Sequence, residues 1–265
     1  MSIKRVYAIF LRQVFLLRSN PVRLTAHFLF PIMSIVMWGF ISKYMATFGK
    51  ETFNFVAVIL GAVVLWDFMS SIQQRMMSAF LEDVWTRNFI NYFASPLKVT
   101  EYISGLVLTS LITSSIGFAL TISIAGLAFG YNILIMGLYI FPFLFLLLLF
   151  GIAVGLFITA LIFRLGPSAE WLGWPIPFIM SIFVGVFYPA SVLPGFMQII
   201  SKILPPSYIF DGMRAVIAGN FNIGANLFLA FVLSVAYLAL TYLFFIKVYK
   251  RNLKTGAISR FGSEE

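Results

Sequence analysis

Residues 133–163 read ILIMGLYIFPFLFLLLLFGIAVGLFITALIF. About 20 apolar residues cross the hydrocarbon core of a bilayer as a helix. This stretch is longer than that and carries no charged side chain. Working outward from it, five further stretches fit the same reading: 24–45, 54–75, 102–129, 171–192 and 224–246. The sequence therefore predicts an all-α, polytopic membrane protein with six transmembrane helices in one transmembrane domain over 1–265. Composition agrees. Hydrophobic residues make up 61% of the chain and charged ones 10%, where a water-soluble domain carries about 25% charged residues.

Positive charge sorts to one side of these spans. With the N-terminus cytoplasmic, the inner segments hold Lys4, Arg5, Arg12, Arg18, Arg23, Arg75, Arg87, Lys98, Arg164, Lys247, Lys250, Arg251, Lys254 and Arg260. The outer segments hold Lys43, Lys50, Lys202 and Arg214, so the division is 14 against 4. Cytoplasmic loops collect Lys and Arg, and both termini are expected in the cytoplasm of a cell (inner or plasma) membrane protein. The net charge of +9 thus belongs to membrane flanks that meet anionic lipid headgroups, not to a nucleic-acid surface. There is no cysteine, which removes disulfides, thiolate metal sites and thiol nucleophiles.

Residues 2–18 read as an amphipathic helix at the membrane interface. Ile3, Val6, Tyr7, Phe10, Val14 and Leu17 recur at helical spacing, with Lys4, Arg5, Arg12 and Arg18 on the other side. Ser19-Asn20-Pro21 ends it. Arg12 and Arg18 interrupt what a cleavable signal would need as an unbroken apolar core.

The most polar internal segment is 76–101. Leu81, Trp85, Phe89 and Phe93 repeat every four residues, and Asp83 and Arg87 form an acidic-first i,i+4 pair. This predicts a short cytoplasmic amphipathic helix over 78–95, closed by Ser95-Pro96. Its aromatic stripe suits either lipid or a groove in a partner protein. Pro142 predicts a kink or tilt in the fourth span.

Residues 188–223 contain Pro189, Pro194, Pro205 and Pro206 and two apolar faces, each too short to span. Two half-length helices broken at Pro205-Pro206 predict an outer re-entrant hairpin over 194–219. Irregular backbone at membrane depth needs protein or a water-filled cavity around it. The hairpin reads either as the mouth of a path or as an interfacial cap.

Catalytic chemistry is sparse. His27 is the single histidine, and neither G-x-S-x-G nor HExxH occurs. No P-loop is present, so an ATPase, if used, is another chain. Asp67 is the clearest intramembrane charge, in the inner half of the second span. An intramembrane carboxylate is a functional candidate by default. It reads equally as a buried hydrogen bond that fixes helix packing.

Taken in order, these features resemble the membrane subunit of a type-2 ATP-binding-cassette exporter. The likeness rests on the basic N-terminal helix before a Pro-containing first span and on the stretch Phe80–Pro96. It rests most on Gly185-Val186-Phe187-Tyr188-Pro189-Ala190-Ser191-Val192-Leu193-Pro194 followed by Leu204-Pro205-Pro206-Ser207-Tyr208. The resemblance implies export of an amphiphilic substrate: a polysaccharide, a lipid-linked glycan, a lipid or a drug. It implies a second permease copy in a homodimer and a nucleotide-binding ATPase subunit. ATP and Mg would sit on that partner, with no cofactor in this chain. By position in the family pattern, Glu82, Asp83, Trp85, Arg87 and Phe89 would couple to the ATPase, with Arg5, Arg12 and Arg18 on the interface helix. Tyr188, Pro194, Pro205, Pro206 and Tyr208, with Asp67, would line or gate the path. The competing expectations are a self-contained ion channel or secondary carrier using Asp67 and His27, and an intramembrane enzyme.

Overall fold

A computed structural model of the chain describes residues 1–19, 21–47, 55–86, 88, 91–92 and 95–255, with the side chains of Val22, Arg23, Leu24, Ala26, His27 and Phe55 left aside. The described residues form helices and their connections. In chain order these are α1 (Ile3–Ser19), α2 (Pro21–Ala46), α3 (Phe55–Trp85), α4 (Val99–Phe129) and α5 (Ile140–Leu165). The short α6 (Glu170–Gly173), α7 (Pro175–Val184), α8 (Gly195–Ile203) and α9 (Pro205–Ile217) follow, and α10 (Gly224–Thr255) is last.

Among the described residues, five helices are long and apolar enough to cross a membrane: α2, α3, α4, the 133–165 stretch containing α5, and α10. In α3 and α5, 72% and 67% of the apolar window is buried, against 17%, 28% and 22% in α2, α4 and α10. The first pair is therefore the centre of the bundle and the other three its wall. Apolar side chains gain little from leaving lipid, so close backbone approach holds such a centre together. Gly151 and Gly155 provide it. A Cβ at Gly151 would sit 3.0 Å from the Met69 carbonyl oxygen, and one at Gly155 would sit 2.9 Å from Met76 Sδ.

These contacts also fix direction. Gly151 meets Met69 and Gly155 meets Met76, so α3 and α5 run parallel. Phe150 pairs with Tyr237, Phe157 with Phe244 and Phe163 with Tyr249, so α5 and α10 are parallel too. By contrast, α4 runs antiparallel to α3, with Phe68 on Phe118 and Asp83 on Tyr102. One end of the bundle thus gathers α1, the start of α4 and the C-terminal ends of α3, α5 and α10.

Three expectations need correction. The fifth predicted span, 171–192, is not one long helix. Pro175 starts α7, which stops after ten residues at Gly185, in the left-handed region at φ 67°. Pro189 and a single 3₁₀ turn at Ala190–Val192 follow. Hydropathy measured the length of apolar chain but not these breaks. Second, the 78–95 segment is not a separate helix in its first half, because α3 continues unbroken to Trp85. Third, the break in the fourth span precedes Pro142. Gly137 (φ 53°, ψ −139°) separates a 3₁₀ stretch, Ile133–Tyr139, from α5. Pro142 falls in the first turn of α5, where its missing N–H has no helical partner to lose.

The two half-length helices around Pro205 are present as α8 and α9, with Pro205 and Pro206 opening α9. From α6 to α9 the chain changes level. Gly173 packs on Met77 and Ile158, in the half of the bundle nearer α1, and its carbonyl accepts from Gln73 Nε2 at 3.3 Å. Further along, Gly212 packs on Phe143 and Met213 lies over Gly61, near the opposite end.

Candidate functional site

The densest polar cluster lies where α1 crosses the end of α3. Asp83 has no exposed surface. Arg12 of α1 donates to its Oδ1. Tyr92 OH reaches the same oxygen at 3.1 Å, while Tyr102 OH and Gln13 Nε2 reach Oδ2 at 2.7 and 3.2 Å. Four donors from α1, α4 and the segment after α3 thus converge on one carboxylate. A buried charge is tolerated only when paired and hydrogen-bonded in this way.

Arg12 is the hub of the cluster. Its guanidinium also donates to Tyr92 OH at 2.7 Å and to Thr86 Oγ1 at 3.1 Å, and it lies 5.5 Å from the centre of the Tyr92 ring. With the Asn88 amide turned so that its oxygen faces α1, Arg12 Nε and Nη2 reach that oxygen at 3.2 Å. Burial, reinforced by the Asp83 carboxylate, pushes the Tyr92 hydroxyl above its ordinary pKa. It therefore remains a donor.

A second tie lies along α4. Glu101 accepts from the backbone N–H of Lys98 at 3.0 Å, as an N3 acid does at a helix start. Its other oxygen accepts from the Ser2 backbone N–H at 2.7 Å, and Arg5 Nη1 donates at 3.3 Å to the oxygen that Lys98 serves. Arg5 also reaches the Pro96 carbonyl at 2.6 Å. Between the two ties, Gly105 lets Ile9 approach so closely that a Cβ there would lie 2.5 Å from it. The first helix is therefore fastened at its start and at its middle to α3, α4 and the chain between them.

At the opposite end, side chains serve the carbonyls that broken helices leave without partners. Tyr188 OH donates to the Ile182 carbonyl and Tyr208 OH to the Lys202 carbonyl, both at 2.8 Å. Gln198 Nε2 serves Leu193 at 2.8 Å and Ser191 at 3.2 Å. Arg214 serves Gly185 at 2.9 Å.

The model of the family described as "ABC-2 type transporter" matches residues 4–218, from the start of α1 through α9. The chain belongs to the ABC-2 type transporter family. No curated protein matches it. This ABC-2 type chain is a multi-pass membrane permease, the membrane-spanning component of an ABC transporter, and the family pairs such permeases with an ATP-binding subunit.

Of the residues expected to couple this permease to an ATPase, Arg87 and Phe89 lie outside the described residues. Glu82, Asp83 and Trp85 form the last turn of α3. Trp85 is 48% exposed, whereas Glu82 and Asp83 are buried. Asp83 turns inward to Arg12, and Glu82 lines a small open pocket with Gln13, Leu17, Arg75, Ser78, Thr109 and Thr113. The acidic partner of Arg12 lies 71 positions away in sequence. No periodicity announces such a pair, although Gln13 on the apolar face of α1 was a visible signal. Arg18 is exposed.

Asp67 sits in α3 and is hydrogen-bonded to Ser34 of α2. Its Oδ2 is buried without a partner among the described residues. The His27 side chain, its expected companion, lies outside them. Pro194 precedes α8, and Pro205 and Pro206 open α9. The hydroxyls of Tyr188 and Tyr208 are bound to backbone carbonyls.

Proposed function

We propose that this permease works in an ATP-driven exporter that moves an amphiphile (a polysaccharide, lipid-linked glycan, lipid or drug) out of the cytoplasm or inner leaflet. It lies in the cell membrane with both termini cytoplasmic and pairs with a second copy of itself. It has no ATPase site of its own; ATP and Mg belong to the partner. The observation that carries the reading is the Arg12–Asp83 cluster. It joins α1 to the chain beyond Trp85, at the end of the bundle where basic residues collect. An ATPase seated on Trp85 and the following segment would thereby move α1, the end of α3 and the start of α4 together. ATP drives transport only if those contacts differ between the two permease states.

Because α5 and α10 run parallel, we place a further crossing in the broken chain from Glu170 to Tyr188, as a fifth of six passes. Its irregular backbone is tolerable at membrane depth because side chains such as Tyr188 and Arg214 bond its carbonyls. The half-helices α8 and α9 then form an outer re-entrant hairpin beside the exit.

Affinity purification of the tagged chain from its native membrane tests the reading. An ATPase should co-purify, and Trp85→Ala should reduce its recovery and its stimulation by the permease. Unchanged recovery and activity would remove Trp85 from the docking face. A second reading, a self-contained carrier through Asp67 and His27, draws on the buried Asp67 oxygen. Nucleotide-independent transport by the purified chain alone in liposomes would favour it over the exporter.

A further inference from the structure

The turn that ends α7 has an unusual attachment. Gly185 takes φ 67°, and a Cβ there would lie 2.7 Å from the Tyr188 carbonyl oxygen, so only glycine fits without strain. Arg214, one turn from the end of α9, reaches across to this turn. Its Nη1 donates to the Gly185 carbonyl at 2.9 Å and lies 3.4 Å from that of Val186. Its Nη2 donates to Asp211 Oδ1 at 2.6 Å. On the other side, Phe187 stacks on Trp38 of α2 at 4.1 Å between ring centres.

Beyond the turn, residues 190–203 form a flap held by its own bonds, by α9 and by packing of α8 on α7. Gln198 closes its first half, and Ser201 and Tyr208 tie its second half to the start of α9 at 3.1 and 2.8 Å. The outer face of α8 is open, with Phe196 and Ile199 each 67% exposed. The directional fastening between the turn and α9 is the guanidinium of Arg214. The ring stack on Trp38 is apolar and can slide.

We propose that Arg214 is a positioning residue that latches the Gly185 turn to α9, and that the flap swings outward when this latch releases. Asp211 makes the release feasible. It sits three residues from Arg214 on the same helix with its side chain 44% exposed. A guanidinium that leaves the two carbonyls therefore keeps its ion pair and gains water. Opening then costs the carbonyl bonds and not a stranded charge. This inference rests on the exporter reading for its use, as control of the exit, but the latch itself can be tested without substrate or ATPase.

The absence of cysteine allows a labelled pair to be introduced directly. Ile199→Cys on α8 and Phe228→Cys on α10 are both exposed. They would carry nitroxide labels in the full chain, reconstituted in lipid nanodiscs, for pulsed distance measurement. The unsubstituted background should give one main distance. Removing a hydrogen bond to a charged group changes an equilibrium by roughly 10- to 100-fold, so Arg214→Gln should add a clear longer-distance population. Asp211→Asn leaves the carbonyl contacts intact and removes the resting partner of the released state, so it should add none. A merely structural ion pair predicts the same loosening in both variants.

Superimposable distributions for Arg214→Gln and background would overturn the latch, as would equal opening by Asp211→Asn. Should Arg214→Gln fail to fold, Arg214→Lys, with a single donor group, replaces it under the same criterion. Failure here leaves the exporter reading standing. Failure of the exporter reading would appear as missing ATPase partnership and would not alter these distances.

Discussion

Replacing Arg12 by glutamine should release α1 from the bundle without unfolding the rest. Arg12 is 27% exposed at its side chain and Asp83 is 0% exposed. Taking one partner from a fully buried ion pair costs about 3–5 kcal/mol, because the other charge is left uncompensated. Here Tyr92, Tyr102 and Gln13 still donate to the carboxylate, and water can reach the site once the partly exposed guanidinium is gone. Both facts place the cost at about 2–3 kcal/mol. At about 1.4 kcal/mol per factor of ten, detachment of α1 becomes roughly 30- to 150-fold more frequent. Amide hydrogen exchange measures such local opening directly. Peptides from residues 3–19 and 91–98 should exchange faster by about that factor in nanodiscs, while α5 should not change. Arg18→Gln is the control, since Arg18 is exposed. Exchange within about threefold of the unsubstituted protein at α1 would refute the reasoning, because the Arg12–Asp83 contact would then contribute little.

Two further substitutions test the packing. Gly151→Val forces a side chain against the Met69 carbonyl, 3.0 Å from the new Cβ. Overpacking of about 1–3 kcal/mol should lower the unfolding temperature in detergent by roughly 2–10 °C, and a shift under about 1 °C would contradict the close α3–α5 approach. Asn252→Leu removes the amide that serves the buried Phe163 carbonyl at the end of α5. A stranded acceptor costs about 1–3 kcal/mol, so hydrogen exchange across residues 245–255 should accelerate by roughly tenfold or more; an unchanged rate would show that the carbonyl finds another donor.

Where burial follows from composition, the sequence was a good guide. The expected spans 24–45 and 224–246 lie inside α2 and α10, and 102–129 lies inside α4. Each is a continuous apolar run, which in lipid has little choice but to be helical. The half-helices around Pro205 were legible for the same reason that α7 was not. Two adjacent prolines separate short apolar faces plainly, whereas Pro175, Pro177 and Gly185 sit inside a run of Trp, Phe and Ile that averages as a span. The clamp was harder still. Read locally, Asp83 has an obvious partner in Arg87, four residues on. Arg87 lies outside the described residues; among those described, the partners of Asp83 come from α1 and α4, at sequence separations of 71 and 19, and from Tyr92, and no pattern in one chain encodes a pairing at the longer of these separations.

The parallel course of α3, α5 and α10 gives these local details a common logic. A chain that leaves α5 at the α1 end and re-enters α10 at the other must climb between them, and Gly173 and Gly185 mark levels on that climb. A straight helix would make it in one rigid piece. This chain instead interrupts the climb with glycine and proline, and side chains from neighbouring segments serve freed carbonyls such as those of Ile182, Gly185, Leu193 and Lys202. Such bonds break at small cost when the donor keeps a second partner, as Arg214 keeps Asp211. The α1 end is built the opposite way. Its carboxylate is sealed from water and held by donors from three elements, so Arg12 cannot leave without uncovering a buried charge. Rigidity where α1, α3 and α4 meet, and exchangeable bonds at the far end, is the arrangement expected of a body pushed at one face and opened at the other.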